Sequence, residues 1–79
     1  THRCKYRNVI FMVMTFHAAL GARLRHFRKL RGLTQQELAA LLNISFQQIQ
    51  KYESGANKLT FERVCQLSRI LHMPLSAWD

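Results

Sequence analysis

Two helix-start signals stand very close together in this chain, and they limit its fold more than any other feature. Thr34-Gln35-Gln36-Glu37 is a capping box: the hydroxyl takes the backbone N–H of the third helical residue, and that residue's carboxylate reaches back to the cap. Ser45-Phe46-Gln47-Gln48 repeats the pattern with a glutamine in the third position. Between the caps, Leu38, Ala39, Leu41 and Leu42 supply an apolar face. Asn43-Ile44 is all that remains for a turn. Helices joined this tightly must cross steeply. Ala39 is small enough for a close crossing. Asn43 tolerates the left-handed conformation, and Ile49 can fill the angle between the helices. A generic antiparallel hairpin needs none of the three.

The rest of the chain also reads as helix. It has 3 glycines and 1 proline, too few breakers for a many-stranded sheet. From Ala18, Leu20, Leu24, Phe27 and Leu30 or Arg31 recur at helical spacing. Gly32 ends that helix as a C′ glycine, and Leu33 packs after it. In the helix begun by Ser45, Ile49 and Tyr52 face inward, leaving Phe46, Gln47, Gln50 and Lys51 outside. Ser54-Gly55 terminates it. Thr60 caps a fourth helix with Phe61, Val64, Leu67, Ile70 and Leu71 in register. Met73-Pro74 breaks it, and Leu75–Trp78 opens a fifth. The expected architecture is an all-α domain of five helices over residues 18–79, with a helix-turn-helix at its centre.

Residues 1–17 form a separate N-terminal extension, basic and then apolar. The apolar run Val9–Phe16 is too short to span a bilayer, and no signal-peptidase site follows it. Its β-branched and aromatic content predicts a short strand or a disordered arm. It could pair with a second chain, pack as an extension, or be non-native sequence ahead of a start at Met12 or Met14. The last reading is preferred.

The charge points to polyanions. Lys and Arg number 12 against 4 acids, a net of +8, and no acid precedes Glu37. Nucleic acid or an anionic membrane would be attracted to such a surface. Cys4 and Cys65 form no paired motif, and the four histidines have no metal-ligand spacing. The chain contains no nucleophile–base set, phosphate-cradling glycine loop or paired carboxylates. No enzyme activity, metal, cofactor or small-molecule ligand is therefore expected, and the compartment reads as reducing cytoplasm.

Residues 20–78 resemble the phage repressor and Cro-type helix-turn-helix domain, the lambda-repressor-like fold. The motif R-x-x-x-G-L-T-Q-x-E-L-A runs from Arg28 to Ala39, and I-x-x-Y-E-x-G from Ile49 to Gly55. Two positions depart from the family pattern: Asn43, where glycine is commonest, and Phe46, where polar base-reading side chains often sit. The resemblance implies sequence-specific binding of double-stranded DNA by a prokaryotic or phage regulator. It implies phosphate contacts from Gln35, Arg28, Ser45, Asn57 and Lys58, which set register without reading bases. It implies base contacts from Gln47 to adenine, from Lys51 to guanine or a phosphate, from Phe46 to a thymine methyl, and from Gln50; partial burial of Phe46 against the protein is an equal reading. Glu53 would orient the Arg28 guanidinium beside the phosphates. The alternative for that pair is a surface ion pair, worth ~0–1 kcal/mol.

One such domain presents few side chains to bases, so a homodimer on a palindromic operator is expected, with half-sites roughly one helical turn apart. Leu75, Trp78 and segment 9–16 are candidate dimer contacts, and Trp78 as core filler is an equal reading. Two other functions are weighed against DNA binding. One is an antitoxin-like module that grips a protein partner and regulates its own expression. The other is membrane-surface attachment through the N-terminus, for which no binding is expected.

Overall fold

The computed structural model describes residues 2–78, and the side chains of residues 9, 12 and 15–78. It has four helices, α1 (His2–Leu30), α2 (Gln35–Leu42), α3 (Phe46–Ser54) and α4 (Phe61–Leu71), closed by a single 3₁₀ turn, Leu75–Trp78. The expected fifth helix is thus one turn. The described residues include no strand, and no helix among them is long and apolar enough to cross a membrane.

The strand expected at Val9–Phe16 is overturned, because α1 begins at His2 and runs through the segment. Its 29 residues make a rod about 43 Å long at 1.5 Å per residue. The physical reason is continuity. No glycine or proline interrupts residues 2–20. The helix penalty of a β-branched residue is only some tenths of a kcal/mol, and the described residues of the chain include no strand for it to pair with.

Local chemistry sets the helix ends. Thr34 Oγ1 accepts the Glu37 N–H at 3.0 Å, and Glu37 Oε1 accepts the Thr34 N–H at 3.0 Å. These bonds hold the Glu37 carboxyl below its ordinary pKa, the backbone N–H of Thr34 contributing most. At α3 the structure forms the hydroxyl half of the expected box: Ser45 Oγ accepts the Gln48 N–H at 3.3 Å. Thr60 caps α4 in the same way, at 3.1 Å from the Arg63 N–H.

Three helices stop in the same Schellman pattern. Leu33 N–H reaches Arg28 O at 3.1 Å, Ile44 N–H reaches Ala39 O at 3.0 Å, and Met73 N–H reaches Ser68 O at 2.9 Å. The left-handed residue is Gly32 in α1, Asn43 (φ 58°) in α2 and His72 (φ 54°) in α4. Arg31, just past α1, adds a cap to the end of α4, donating through Nε to Leu71 O at 2.7 Å and through Nη2 to His72 O at 3.3 Å.

Leu24, Phe27, Leu38, Ile49, Tyr52, Leu67 and Leu71 form the core, joined by Leu59 and Trp78. Three leucine and phenylalanine positions expected inside lie outside: Leu30, Leu41 and Phe61 are all exposed. A two-turn helix such as α2 can turn only one side inward, and Leu38 and Ala39 hold it. Trp78 was a candidate dimer contact, but it is buried in its own core.

At Gly21 two helices meet main chain against main chain. A Cβ on Gly21 would stand against the Tyr52 carbonyl oxygen and 2.7 Å from Glu53 O. Glycine here lets α1 lie directly on the C-terminal turn of α3. Gly21→Ala would gain about 1 kcal/mol of helix propensity but must push the two helices apart. A net loss of about 1–3 kcal/mol in urea unfolding is expected. A variant as stable as the parent would mean the helices do not meet at this distance.

Candidate nucleic-acid interface

The outer face of α3 is polar because its inner face is taken. Ile49 and Tyr52 are buried, which leaves Gln47, Gln50 and Lys51 exposed along one side. These three fall at i, i+3 and i+4, so they are neighbours on the helix surface. Of the two readings of Phe46, the structure has the partly buried one: the side chain is half-buried and packs against the core. Its ring is therefore largely engaged by the protein itself.

The helix-turn-helix angle rests on the three positions that permit it. Ala39 and Ile49 are buried, and Asn43 adopts φ 58°, ψ 44°. Ser45, Asn57 and Lys58 are exposed, and the loop holding the last two is tied to α3 by Asn57 N–H donating to Lys51 O at 3.2 Å.

A charged network joins three helices beside this face. Arg28 of α1 donates through Nε to Glu53 Oε2 at 2.6 Å and through Nη2 to Glu53 Oε1 at 3.2 Å. Its Nη1 donates to Leu33 O at 2.8 Å. Gln35 of α2 donates through Nε2 to Glu53 Oε1 at 3.1 Å. This is a bidentate fork on a carboxylate, and the Arg28 and Glu53 side chains are only 9% and 5% exposed. The surface ion pair weighed from the sequence is thus a buried one. Three of the five guanidinium N–H groups of Arg28 are held inside the protein, and Glu53 fixes the position of Gln35 as well.

Next to the network, a polar cleft of about 430 Å³ is lined by Arg25, Arg28, Gln35, Gln50, Glu53 and Ser54. Arg25 was not among the expected contacts, although it is exposed and lies one helical turn before Arg28. The signal that could have found it is that i, i+3 relation on a helix end facing α3.

Comparison with known proteins shows the family of the fold. A helix-turn-helix family model matches residues 24–78, which is most of the chain. The chain belongs to the Cro/C1-type helix-turn-helix family. Among relatives of this helix-turn-helix chain, an HTH-type transcriptional regulator of Sinorhizobium medicae is 44% identical over 57 residues, covering 72% of this chain and 41% of that protein. A transcriptional regulator in the ATPase CF(0) region of Rhodospirillum rubrum is 40% identical over 58 residues, covering 73% and 54%. The chain therefore spans about half the length of these relatives or less. The clp gene regulator ClgR of Corynebacterium glutamicum superposes with a TM-score of 0.75 at 28% identity, over 80% of this chain and 82% of that one. The restriction-modification controller protein C.AhdI of Aeromonas hydrophila shares the fold with a TM-score of 0.77 at 23% identity, over 84% and 96%.

Proposed function

We propose that this helix-turn-helix chain binds double-stranded DNA in a sequence-specific manner as part of a transcriptional regulator, with α3 in the major groove. The observation that carries this reading is the pairing of two faces on one short helix. Ile49 and Tyr52 lock α3 to the core, while Gln47, Gln50 and Lys51 stand free on the other side of it. In this reading Gln47 pairs with adenine, and Lys51 reaches guanine or a phosphate. Gln50 is a further base contact, and Phe46 offers only its exposed part to a thymine methyl.

Phosphates are met by Gln35 with the first N–H groups of α2, and by Ser45, Asn57 and Lys58. Arg28 serves chiefly as the group that holds Glu53 and Gln35 in place, with its remaining N–H groups turned to the backbone. The net charge of +8 supplies the non-specific attraction. A homodimer on a palindromic operator completes the reading.

The test is selection of bound duplexes from a random library at about 150 mM salt, which suppresses non-specific phosphate binding. Recovery of one consensus is expected. On that consensus, Gln47→Ala is expected to lose about 1–3 kcal/mol of affinity and almost nothing on random DNA. An equal loss on both would remove Gln47 from base reading. Recovery of no sequence above background by the folded chain would overturn the proposal.

A further inference from the structure

The N-terminal half of α1 carries an apolar stripe that the domain leaves uncovered. Val9, Met12 and Phe16 are 55%, 67% and 60% exposed, and Ala19 is exposed on the same line. The intervals are 3, 4 and 3, the a/d spacing of a helix that packs against another helix. The stripe runs into a largely apolar groove of about 400 Å³, whose walls include Phe16, Ala19, Leu20, Phe61, Val64 and Leu75, with Arg23 as the one charged residue among those described. Phe61 and Leu75 at its rim are 75% and 48% exposed. Stripe and groove form one continuous patch.

We infer that this patch is the seam of a homodimer in which two α1 helices pack antiparallel, each laying its stripe toward the other copy's groove. This rests on the dimeric reading above and names the surface for it. Three observations select a second copy as the occupant. The first is register: in an antiparallel a/d pairing Met12 faces the partner's Phe16, and the same alignment sets Val9 against the partner's Ala19, where the groove opens. Val9 lies about 10 Å along the helix from Phe16, far enough to reach that groove from across a two-fold axis. The second is self-complementarity, since one surface holds both the projecting side chains and the recess, as an isologous contact requires. The third is area. Five large side chains exposed to this degree offer on the order of 600 Å² per copy, close to the ~1,200 Å² in total at which specific interfaces begin. The four seam positions are uncharged, but Arg23 also lines the groove, so two copies of net charge +8 repel at the ends of the seam, and that repulsion weakens with salt.

Sedimentation equilibrium of the 79-residue chain tests the seam without DNA. A monomer–dimer equilibrium with a micromolar Kd is expected, tighter at higher salt. Met12→Glu and Phe16→Glu change exposed positions, so the fold, followed by helical circular dichroism, should persist while Kd rises at least about tenfold. Leu41→Glu, equally apolar and exposed but off the patch, should leave Kd unchanged. With Cys4 and Cys65 replaced by serine, the double variant V9C/A19C should form disulfides between copies on mild oxidation.

A chain that stays monomeric to about 100 μM overturns the inference. If that monomer floats with anionic vesicles, the stripe belongs to a lipid surface instead. A dimer indifferent to Met12→Glu and Phe16→Glu also overturns it. The DNA reading is judged separately. A monomer that still selects a half-site keeps that reading and loses the seam, whereas a seam-dependent dimer that selects no DNA does the reverse.

Discussion

Arg28→Ala is expected to destabilise the domain by about 3–5 kcal/mol, read as a fall in the urea midpoint at constant slope. The guanidinium makes two bonds to Glu53 and one to the Leu33 carbonyl. Removing it leaves a carboxylate that is 5% exposed with only the Gln35 amide as partner. Most of the loss is the orphaned charge rather than the lost attraction, and that is testable. Replacing both partners, Arg28→Met with Glu53→Leu, should recover much of the stability. Arg28→Lys should fall between, because an ammonium keeps the charge but cannot form the fork. A double variant no more stable than Arg28→Ala would mean that packing, not charge, is what Arg28 supplies. The folded double variant also isolates the role at DNA. If it binds every duplex more weakly by a similar factor, the network positions the phosphate contacts. Unchanged binding would make the network purely architectural.

Trp78→Ala is expected to lose a similar amount, about 3–5 kcal/mol. The ring is 5% exposed and meets Phe27 edge-on at 5.3 Å and 85°. Its Nε1 donates to Ser68 Oγ at 2.8 Å. Truncation opens a cavity and leaves a buried hydroxyl short of its donor. Trp78→Phe should be milder, since it keeps an aromatic ring and gives up the hydrogen bond, worth about 1 kcal/mol. Trp78 is the only tryptophan, so its own fluorescence follows unfolding of the parent and circular dichroism must follow the variants. A loss under about 1 kcal/mol for Trp78→Ala would return the residue to the surface as a dimer contact.

The parts of this fold legible in the sequence are those encoded locally. The Thr34 box, the left-handed Asn43 and Gly32, and the inward pair Ile49 and Tyr52 each follow from a few adjacent residues, and the structure has them all. What depends on distant partners was not legible. Gly21 reads as a mere weakness in a helix until the Tyr52 carbonyl is found against it. Periodicity marks Leu41 and Phe61 as apolar positions but cannot say which of two apolar lines finds a neighbour. Nothing near His72 announces a left-handed residue. The β-branched character of Val9–Phe16 suggested a strand, since composition weighs side chains and not the unbroken helix that follows.

The candidate site divides the same way. The exposed face of α3 follows by subtraction once Ile49 and Tyr52 are turned inward. The partnership of Arg28 with Glu53 came through the family resemblance. That the pair is buried, and that Gln35 shares the same carboxylate, required the three helices to be assembled.

The two faces of α3 also bear on how such a chain can change over time. Ile49 and Tyr52 fasten the helix to the core, and Gly21 lets α1 rest on its last turn. None of these residues is among the three that project outward. Positions 47, 50 and 51 can therefore be exchanged, singly or together, with little disturbance to folding. A lineage carrying this scaffold is free to acquire new target preferences by rewriting three letters, while the framework that aims them stays as it was.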